Sequence, residues 1–210
     1  MDTKKNMIED QLKGRDISDE RVLDAMQNID RELFIPDEYK AEAYRDGPLP
    51  IGRGQTISQP YIVAYMAQVL KPGPEDKVLE VGSGCGYNAA VLSQLCHEVY
   101  SVEIVEWLAG FARENLKSAG IENVKVRYGD GYEGWEEKGP FDRIMLTATA
   151  PHIPEALKNQ LKVGGKILGP VSNAFEKLMI LEKVGEDEFK KHNLIPVRFV
   201  PMTGKARESR

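Results

Sequence analysis

The sequence has few cysteines, few histidines and no long hydrophobic run. Its two cysteines, Cys85 and Cys96, are too few for a disulfide framework and suit a reducing compartment. The three histidines are scattered, so no metal site is expected. The longest apolar run, residues 61–67, is far too short to span a bilayer. No apolar stretch of a secretory signal is seen near Met1, and we expect a cytoplasmic location.

Basic residues are also fewer than acidic residues. The chain has 28 Lys and Arg against 33 Asp and Glu, which gives a net charge of −5. Nucleic acids and anionic membranes bind basic surfaces, so neither is expected as a partner. An apolar fraction of 41% over 210 residues is typical of a globular chain with one domain.

Strands alternate with helices through most of the second half of the chain. Strands are predicted at 77–81, 98–104, 123–128, 141–146 and 163–168. This alternation predicts right-handed crossovers and a parallel sheet. Two further strands, 177–184 and 195–201, have no helix between them and predict an antiparallel edge. The expected fold class is α/β, with a doubly wound, mostly parallel Rossmann-like sheet of about seven strands, an antiparallel C-terminal edge and an N-terminal helical extension.

The residues before this sheet are predicted to be mainly helical. Helices are predicted at 2–13, 18–29, 36–44 and 60–70, with Ser18 as the N-cap of the second. The stretch 46–58 is rich in Gly and Pro, which predicts a shaped loop rather than a strand. We expect a single domain over 1–210, made of a helical extension (1–75), a Rossmann-like core (76–204) and a frayed polar tail (205–210).

A glycine-rich turn gives the strongest signal for a ligand. Residues 78–87 read as a strand, then Gly82-x-Gly84-x-Gly86, then a helix. Glycines let a ligand approach the backbone closely, and the helix start offers unpaired N–H groups. A dinucleotide fingerprint needs another glycine where this sequence has a tyrosine. With Glu80 two places before the first glycine, the pattern resembles motif I of class I S-adenosylmethionine-dependent methyltransferases, although a tight turn without a ligand is the alternative.

Two acidic residues follow the next two strands. Glu103 is placed to accept hydrogen bonds from two ribose hydroxyls, and Asp130, within Gly-Asp-Gly, can accept from an adenine amino group. An exposed strand-end carboxylate and a plain turn are the alternative interpretations. Both acids and the glycine turn lie at carboxyl ends of strands, where open α/β sheets bind their ligands.

The methyl acceptor is indicated by a motif that is missing. Amino-methyltransferases usually carry Asn/Asp-Pro-Pro-aromatic after the fourth strand, whereas residues 146–151 read Leu-Thr-Ala-Thr-Ala-Pro. A carboxylate is already ionised at neutral pH and needs neither that tetrad nor a general base. Thr56, Ser58 and backbone N–H groups at the helix start are suitable donors to a carboxylate. Ser58 is also a candidate N-cap for the helix at 60–70.

Residues 48–60, Pro-Leu-Pro-Ile-Gly-Arg-Gly-Gln-Thr-Ile-Ser-Gln-Pro, resemble the signature of the protein-L-isoaspartate O-methyltransferase family. Further similar segments lie at 31–36, 78–87, 129–131, 148–151, 161–171 and 199–203. The resemblance implies methyl transfer from S-adenosyl-L-methionine to the free α-carboxylate of L-isoaspartyl residues in damaged proteins and peptides. The expected products are S-adenosyl-L-homocysteine and a methyl ester that cyclises to a succinimide.

The resemblance also implies roles for individual residues. Ser58 carries over as the catalytic residue, with substrate contacts at Thr56, Ile57, Ser58 and Gln59. Cofactor contacts carry over to Glu80, Gly82, Ser83, Gly84, Glu103, Asp130 and Gly131. Cys85 and Thr149 depart from the family's usual Ser and Ala or Gly. Isoaspartyl-containing proteins and peptides are the expected partners of a monomeric enzyme.

Three other functions stay open at this point. One is another class I methyltransferase acting on a small molecule or RNA, which the missing tetrad and the acidic charge disfavour. An NAD-dependent reductase is disfavoured by the glycine spacing. A catalytically inactive adenosyl-binding or protein-binding module is disfavoured by the presence of Ser58, Glu103 and the glycines. For a repair enzyme, an open cleft that reads the substrate backbone is expected near residues 54–60 and the last strand.

Overall fold

The computed structural model describes residues 3–172 and 175–207. Its N-terminal part is mainly helical, as predicted. The elements there are α1 (Lys4–Asn6, continued as a π-helix over Met7–Lys13), α2 (Glu20–Asn28), 3-10 helices at Arg31–Phe34 and Asp37–Glu42, β1 (Leu49–Gly52), β2 (Gln55–Ile57) and α3 (Pro60–Leu70). The N-cap of α2 is Asp19 rather than Ser18, because the Asp19 side chain accepts a hydrogen bond from the backbone N–H of Arg21.

The stretch predicted as a loop, 46–58, contains an antiparallel hairpin instead. β1 pairs with β2, and three consecutive residues, Gly52, Arg53 and Gly54, adopt positive φ in the turn between them. Glycine reaches this region without strain, which allows a very tight reversal. The loop prediction is therefore wrong: the glycines mark the turn of the hairpin, and its two short strands flank them.

The second part of the chain forms a seven-stranded sheet. Its elements are β3 (Lys77–Val81), α4 (Tyr87–Ser93), β4 (Glu98–Glu103), α5 (Glu106–Ser118), β5 (Val124–Tyr128), β6 (Phe141–Leu146), α6 (Glu155–Asn159), β7 (Leu161–Ser172), β8 (Glu176–Lys183) and β9 (Phe189–Pro196), with short 3-10 helices at Gly131–Glu133, Glu136–Lys138 and Gly204–Arg207. The strand order is β5-β4-β3-β6-β7-β8-β9, parallel from β5 to β7 and antiparallel from β7 to β9. The predicted α/β fold with an antiparallel C-terminal edge is confirmed.

The last strand is not where the sequence places it. A strand is predicted at 195–201, but β9 begins at Phe189 and ends at Pro196. Its middle residues are polar because they are exposed on the edge of the sheet, so they look like a connection in the sequence. Residues 197–203 form an irregular segment. The tail predicted to be frayed from Lys205 folds into a 3-10 helix as far as Arg207, and 208–210 lie outside the described residues.

Helices pack on the sheet so that the central strands are buried on both faces. Val78 of β3 joins a cluster with Leu70 of α3 and Leu92 of α4, while Leu79 joins another with Leu157 of α6. Such strands are typical of parallel sheets. Within 3–172 and 175–207, no helix has both the length and the apolar character needed to cross a bilayer. The carboxyl ends of β3, β4, β5 and β6 remain uncovered by these helices and meet at one edge of the sheet.

Candidate active site

A cavity lies at this edge of the sheet, and its volume, including the solvent-filled opening, is about 960 Å³. Three parts of the chain line it: the end of the β1–β2 hairpin with the residues after it, the carboxyl ends of the parallel strands, and the irregular segment near the C-terminus. The main lining residues are 55–58, 81–85, 102–105, 130–131, 147–148 and 199–203.

The glycine turn after β3 forms one wall of the cavity. Gly82, Gly84 and Gly86 all adopt positive φ, at 101°, 52° and 89°. A Cβ at Gly82 would collide with Oγ1 of Thr147, and one at Gly84 would lie 3.3 Å from Cδ1 of Ile51. The turn therefore requires glycine both for its backbone conformation and for its contacts with neighbouring elements. The contact at Gly84 also shows that the hairpin packs directly on the turn.

Glu103, at the end of β4, stands beside the turn as predicted. Its carboxylate accepts hydrogen bonds from the backbone N–H groups of Gly84 (2.8 Å) and Val105 (2.9 Å). The residue is only 5% exposed, and burial raises its pKa. Each oxygen has accepted one hydrogen bond and can accept another, so the carboxylate can take two ligand hydroxyls.

Asp130 lies on the cavity wall in the loop after β5. Its Oδ1 accepts from the N–H of Tyr132 (2.9 Å), and its Oδ2 accepts from the N–H of Lys205 (2.8 Å). The second bond brings the C-terminal 3-10 helix against the loop. The neighbouring Gly131 has no room for a side chain, because a Cβ there would collide with Cγ1 of Val81.

Glu80 lies behind the cavity and does not line it. Its side chain is fully buried, accepting hydrogen bonds from Nδ2 of Asn88 (2.7 Å) and from the hydroxyl of Ser101. Burial raises its pKa to about 7. Asn88, in the first turn of α4, does line the cavity and was missed in the sequence. Its position directly after the motif is the only signal that could have indicated it.

Ser58, Thr56 and Ile57 line the cavity on the hairpin side. Ser58 is not the N-cap of α3, since the cap position is Gln59 and its side chain makes no capping bond. Within the part of the chain that the structure describes, the Ser58 hydroxyl has no hydrogen-bond partner and is available to a ligand. Gln59 does not line the cavity; its Nε2 donates to Oδ1 of Asp46 at 2.7 Å.

The hairpin turn is also anchored on the start of α5. The guanidinium carbon of Arg53 lies 5.4 Å from the ring centroid of Trp107, and this ring stacks on Phe111 at 5.1 Å. A Cβ at Gly52 would lie 3.5 Å from the same indole. The hairpin that carries Thr56 therefore rests on Trp107 as well as on the glycine turn, an arrangement that the sequence did not indicate.

Cys85 is buried within the glycine turn, with 3% of its surface exposed. Burial raises the pKa of its thiol to about 11, so it is a neutral group at pH 7. It therefore fits the description of a small buried residue better than that of a reactive thiol. Among the described residues, no group of three or more His, Cys, Asp and Glu side chains is arranged to hold a metal ion.

Comparisons with known proteins cover almost the whole chain. Residues 2–207 match the family model of protein-L-isoaspartate(D-aspartate) O-methyltransferase (PCMT). A protein-L-isoaspartate O-methyltransferase of Opitutus terrae is 51% identical over 204 residues, which are 95% of this chain and 86% of that protein. A second relative, protein-L-isoaspartate O-methyltransferase 2 of Syntrophobacter fumaroxidans, is 50% identical over 193 residues, covering 91% of this chain and 78% of the relative.

Solved structures with names of the same family also match this chain. A protein-L-isoaspartate O-methyltransferase superimposes with a TM-score of 0.90 at 30% identity, covering 97% of this chain and 67% of that one. A Plasmodium falciparum protein described as a beta-aspartate methyltransferase, in complex with S-adenosyl-L-homocysteine, matches with a TM-score of 0.85 at 28% identity, covering 97% and 99%. The two structures share both the sheet and the additional N-terminal elements with this chain.

Proposed function

Since the chain belongs to the protein-L-isoaspartate(D-aspartate) O-methyltransferase family, we propose specific roles for the residues of its cavity in the reaction of that family. The chain is an S-adenosyl-L-methionine-dependent methyltransferase of protein repair, and its substrates are isoaspartyl-containing proteins and peptides. The roles below follow from the positions and hydrogen bonds of its side chains.

The chemistry of the strand-end acids fits S-adenosyl-L-methionine. The Glu103 carboxylate accepts only backbone N–H bonds among the described residues and keeps free lone pairs for the two ribose hydroxyls. Asp130 is placed for the adenine amino group, while Gly82, Ser83, Gly84 and Gly131 let the ligand approach the backbone. When bound, the cofactor supplies a methyl group on a positively charged sulfur. Glu80 lies behind the glycine turn and supports the cofactor side by accepting a hydrogen bond from Asn88, which lines the cavity.

Ser58 is the residue that we assign to the methyl acceptor. Its hydroxyl is free among the described residues, and Ser58 lines the same cavity as Thr56, Ile57 and Glu103. An isoaspartyl carboxylate is ionised at neutral pH, so Ser58 has no proton to remove and acts as a hydrogen-bond donor. Its contribution is alignment of one carboxylate oxygen with the methyl group. Gln59 assists indirectly, by holding the segment to Asp46.

The site is complete within one chain, which supports a monomeric enzyme. Residues 1–75 supply Ser58 and its neighbours on the acceptor side, and the core from 76 to 204 supplies the cofactor side and the 199–203 segment. A single hydrophobic cluster joins Met7 of α1 with Leu116 of α5, so the extension and the core form one domain. We also assign the enzyme to the cytoplasm, on the basis of its two free, buried cysteines.

The observation that carries the proposal is that Ser58, whose hydroxyl has no partner among the described residues, lines one cavity with Glu103 and Asp130. The test uses two peptides that differ only in an isoaspartyl or an aspartyl residue, with S-adenosyl-L-methionine labelled in its methyl group. We expect label in the isoaspartyl peptide only. Equal labelling of both peptides would contradict the proposal. Binding of S-adenosyl-L-homocysteine without labelling of either peptide would indicate an inactive adenosyl-binding module.

A further inference from the structure

The segment 199–203 forms part of the cavity wall, although it lies outside the regular sheet. Its Val200 carbonyl accepts from the N–H of Thr149 (2.9 Å), and its Met202 N–H donates to the Thr149 carbonyl (2.8 Å). These two bonds make a single isolated bridge instead of a ladder. The position of the wall therefore depends on side chains as well, through the packing of Met202 and Phe199 and through side-chain hydrogen bonds.

One carboxylate oxygen makes the additional connection. Oε1 of Glu176 accepts from the backbone N–H of Phe199 at 2.6 Å and also from the hydroxyl of Thr149. The Glu176 carbonyl accepts from the N–H of Val197 at 3.2 Å. Glu176 thus links the wall, at its start, to the loop after β6. This bond gives the Thr149 hydroxyl its partner.

The hydrogen bonds that Glu176 accepts from Thr149 and Phe199 lie directly beside the cavity. Residues 147 and 148, next to Thr149, line the cavity, and so do residues 199–203. Thr149 itself is 8% exposed and does not line the cavity, so it acts on the site only through the wall. Glu176 makes no ion pair with any described residue, and its charge is met by these hydrogen-bond donors.

We propose that Glu176 and Thr149 are positioning residues that set the 199–203 wall for the isoaspartyl peptide. This inference rests on the function proposed above and adds a specificity element to the same site. The cofactor is held by the ends of β3, β4 and β5, whose positions are fixed mainly by the ladders of the sheet; Asp130 also accepts from the N–H of Lys205, just after the wall. A displaced wall should therefore weaken the use of the peptide more than the binding of the cofactor.

The test measures KM for the isoaspartyl peptide, kcat and the Kd of S-adenosyl-L-homocysteine in matched variants. Thr149→Val removes the hydroxyl and keeps the shape, whereas Thr149→Ser keeps the hydroxyl. Glu176→Ala removes the acceptor, whereas Glu176→Gln keeps an oxygen in its place. We expect Thr149→Val and Glu176→Ala to raise the peptide KM by about 10-fold or more with Kd changed less than about twofold, as for loss of a charge-assisted hydrogen bond. Thr149→Ser and Glu176→Gln should stay close to wild type.

A double variant separates this link from two independent effects. Because both residues act through the same oxygen, Thr149→Val with Glu176→Ala should resemble Glu176→Ala alone. Glu182→Ala, on the same strand away from the cavity, is the control and should leave the peptide KM unchanged. Thr149→Val is the mild variant that decides the question even where Glu176→Ala does not fold.

Several results would overturn the proposal: an unchanged peptide KM in Thr149→Val, equal behaviour of Thr149→Ser and Thr149→Val, or a Kd that rises as much as KM. A lower melting temperature with unchanged kinetics would mean a purely structural role and would overturn it as well. Wild-type enzyme is assayed first on the isoaspartyl and aspartyl peptides. Failure to distinguish these would contradict the proposed function itself, whereas intact discrimination with an unmoved KM contradicts only the positioning role.

Discussion

The cofactor side and the acceptor side of the cavity are held in place in different ways. Gly82, Glu103 and Asp130 follow three neighbouring parallel strands, whose backbone ladders determine where each residue lies. Ser58 and the 199–203 wall lie outside that sheet, on a hairpin and on an irregular segment. The cofactor side is therefore set by backbone geometry, whereas the acceptor side depends on individual side-chain contacts. Substitutions on the two sides should therefore separate cofactor binding from methyl transfer.

Gly82→Ala should have the largest effect, because it disturbs the backbone conformation of the glycine turn on the cofactor side. The new Cβ would meet Oγ1 of Thr147, whose hydroxyl donates to the Gly82 carbonyl at 2.6 Å, and the residue has a φ of 101°. Strain of this kind costs about 1–3 kcal/mol before the collision is added. We expect the Kd of S-adenosyl-L-homocysteine to rise by more than about 100-fold in calorimetry.

Gly164→Ala is a matched control for that substitution. Gly164 also has a positive φ, 83°, but a Cβ there would meet nothing within 4 Å. The variant should lose about 1 kcal/mol of stability through strain alone and keep its cofactor affinity. An equal loss of affinity in both variants would show that the turn is not the cofactor wall.

Glu103→Ala should weaken cofactor binding by about 5- to 150-fold, since a hydrogen bond to a charged group contributes about 1–3 kcal/mol. The variant also leaves the N–H groups of Gly84 and Val105 without their acceptor. Glu103→Gln, which retains one acceptor oxygen, should lose less. Titration of both variants with S-adenosyl-L-homocysteine measures this order. A change confined to kcat, with Kd intact, would speak against ribose binding by Glu103.

Ser58→Ala should impair methyl transfer rather than cofactor binding. We expect kcat/KM for the isoaspartyl peptide to fall about 10-fold, because one hydrogen bond to a carboxylate is lost. Cofactor Kd should change by less than about twofold, because Ser58 makes no bond to the cofactor side. The melting temperature should also be unchanged, since the N-cap of α3 is Gln59. A drop in melting temperature with normal kinetics would restore the capping interpretation.

Glu80→Gln should have the mildest effect, visible only in the pH dependence of stability. Burial raises the pKa of Glu80 from 4.5 to about 7 in the folded protein, so folding favours the protonated form. Its stabilising contribution is complete below pH 4.5 and is lost as the pH rises through about 7. Between pH 5 and 7, the unfolding free energy of wild type should therefore fall by about 1–2 kcal/mol relative to the variant. Urea unfolding at several pH values measures this, and parallel profiles would contradict it.

The cofactor side could be predicted from the sequence because its residues follow buried strands. β3 and β6 are short apolar runs, and their predicted bounds are those observed. Since strand ends in a parallel sheet meet at one edge, the positions of Glu103 and Asp130 follow directly. The orientation of Glu80 did not follow, because its motif position does not reveal that its side chain turns toward Asn88 and Ser101.

The acceptor side was harder to predict because its order comes from contacts distant in sequence. Arg53 adopts a positive φ that its residue type does not suggest, so the hairpin looked like a loop. β9 is polar because it forms an exposed edge of the sheet, so the sequence predicted this strand too far toward the C-terminus. The bond between Thr149 and Glu176 joins residues 27 positions apart through side chains alone. Ser58 was identified as a possible carboxylate donor from its residue type and its place near a helix start, whereas its catalytic role came from the family signature.

The contact between the hairpin turn and Trp107 also provides an optical reporter. The chain has two tryptophans, and the other, Trp135, packs on Tyr100 with ring centroids 5.3 Å apart. Trp107 is 47% exposed beneath Arg53, so its fluorescence depends on where the hairpin turn lies. In a Trp135→Phe background, emission would come from this one indole. Movement of the acceptor hairpin during cofactor binding could then be followed in unlabelled protein.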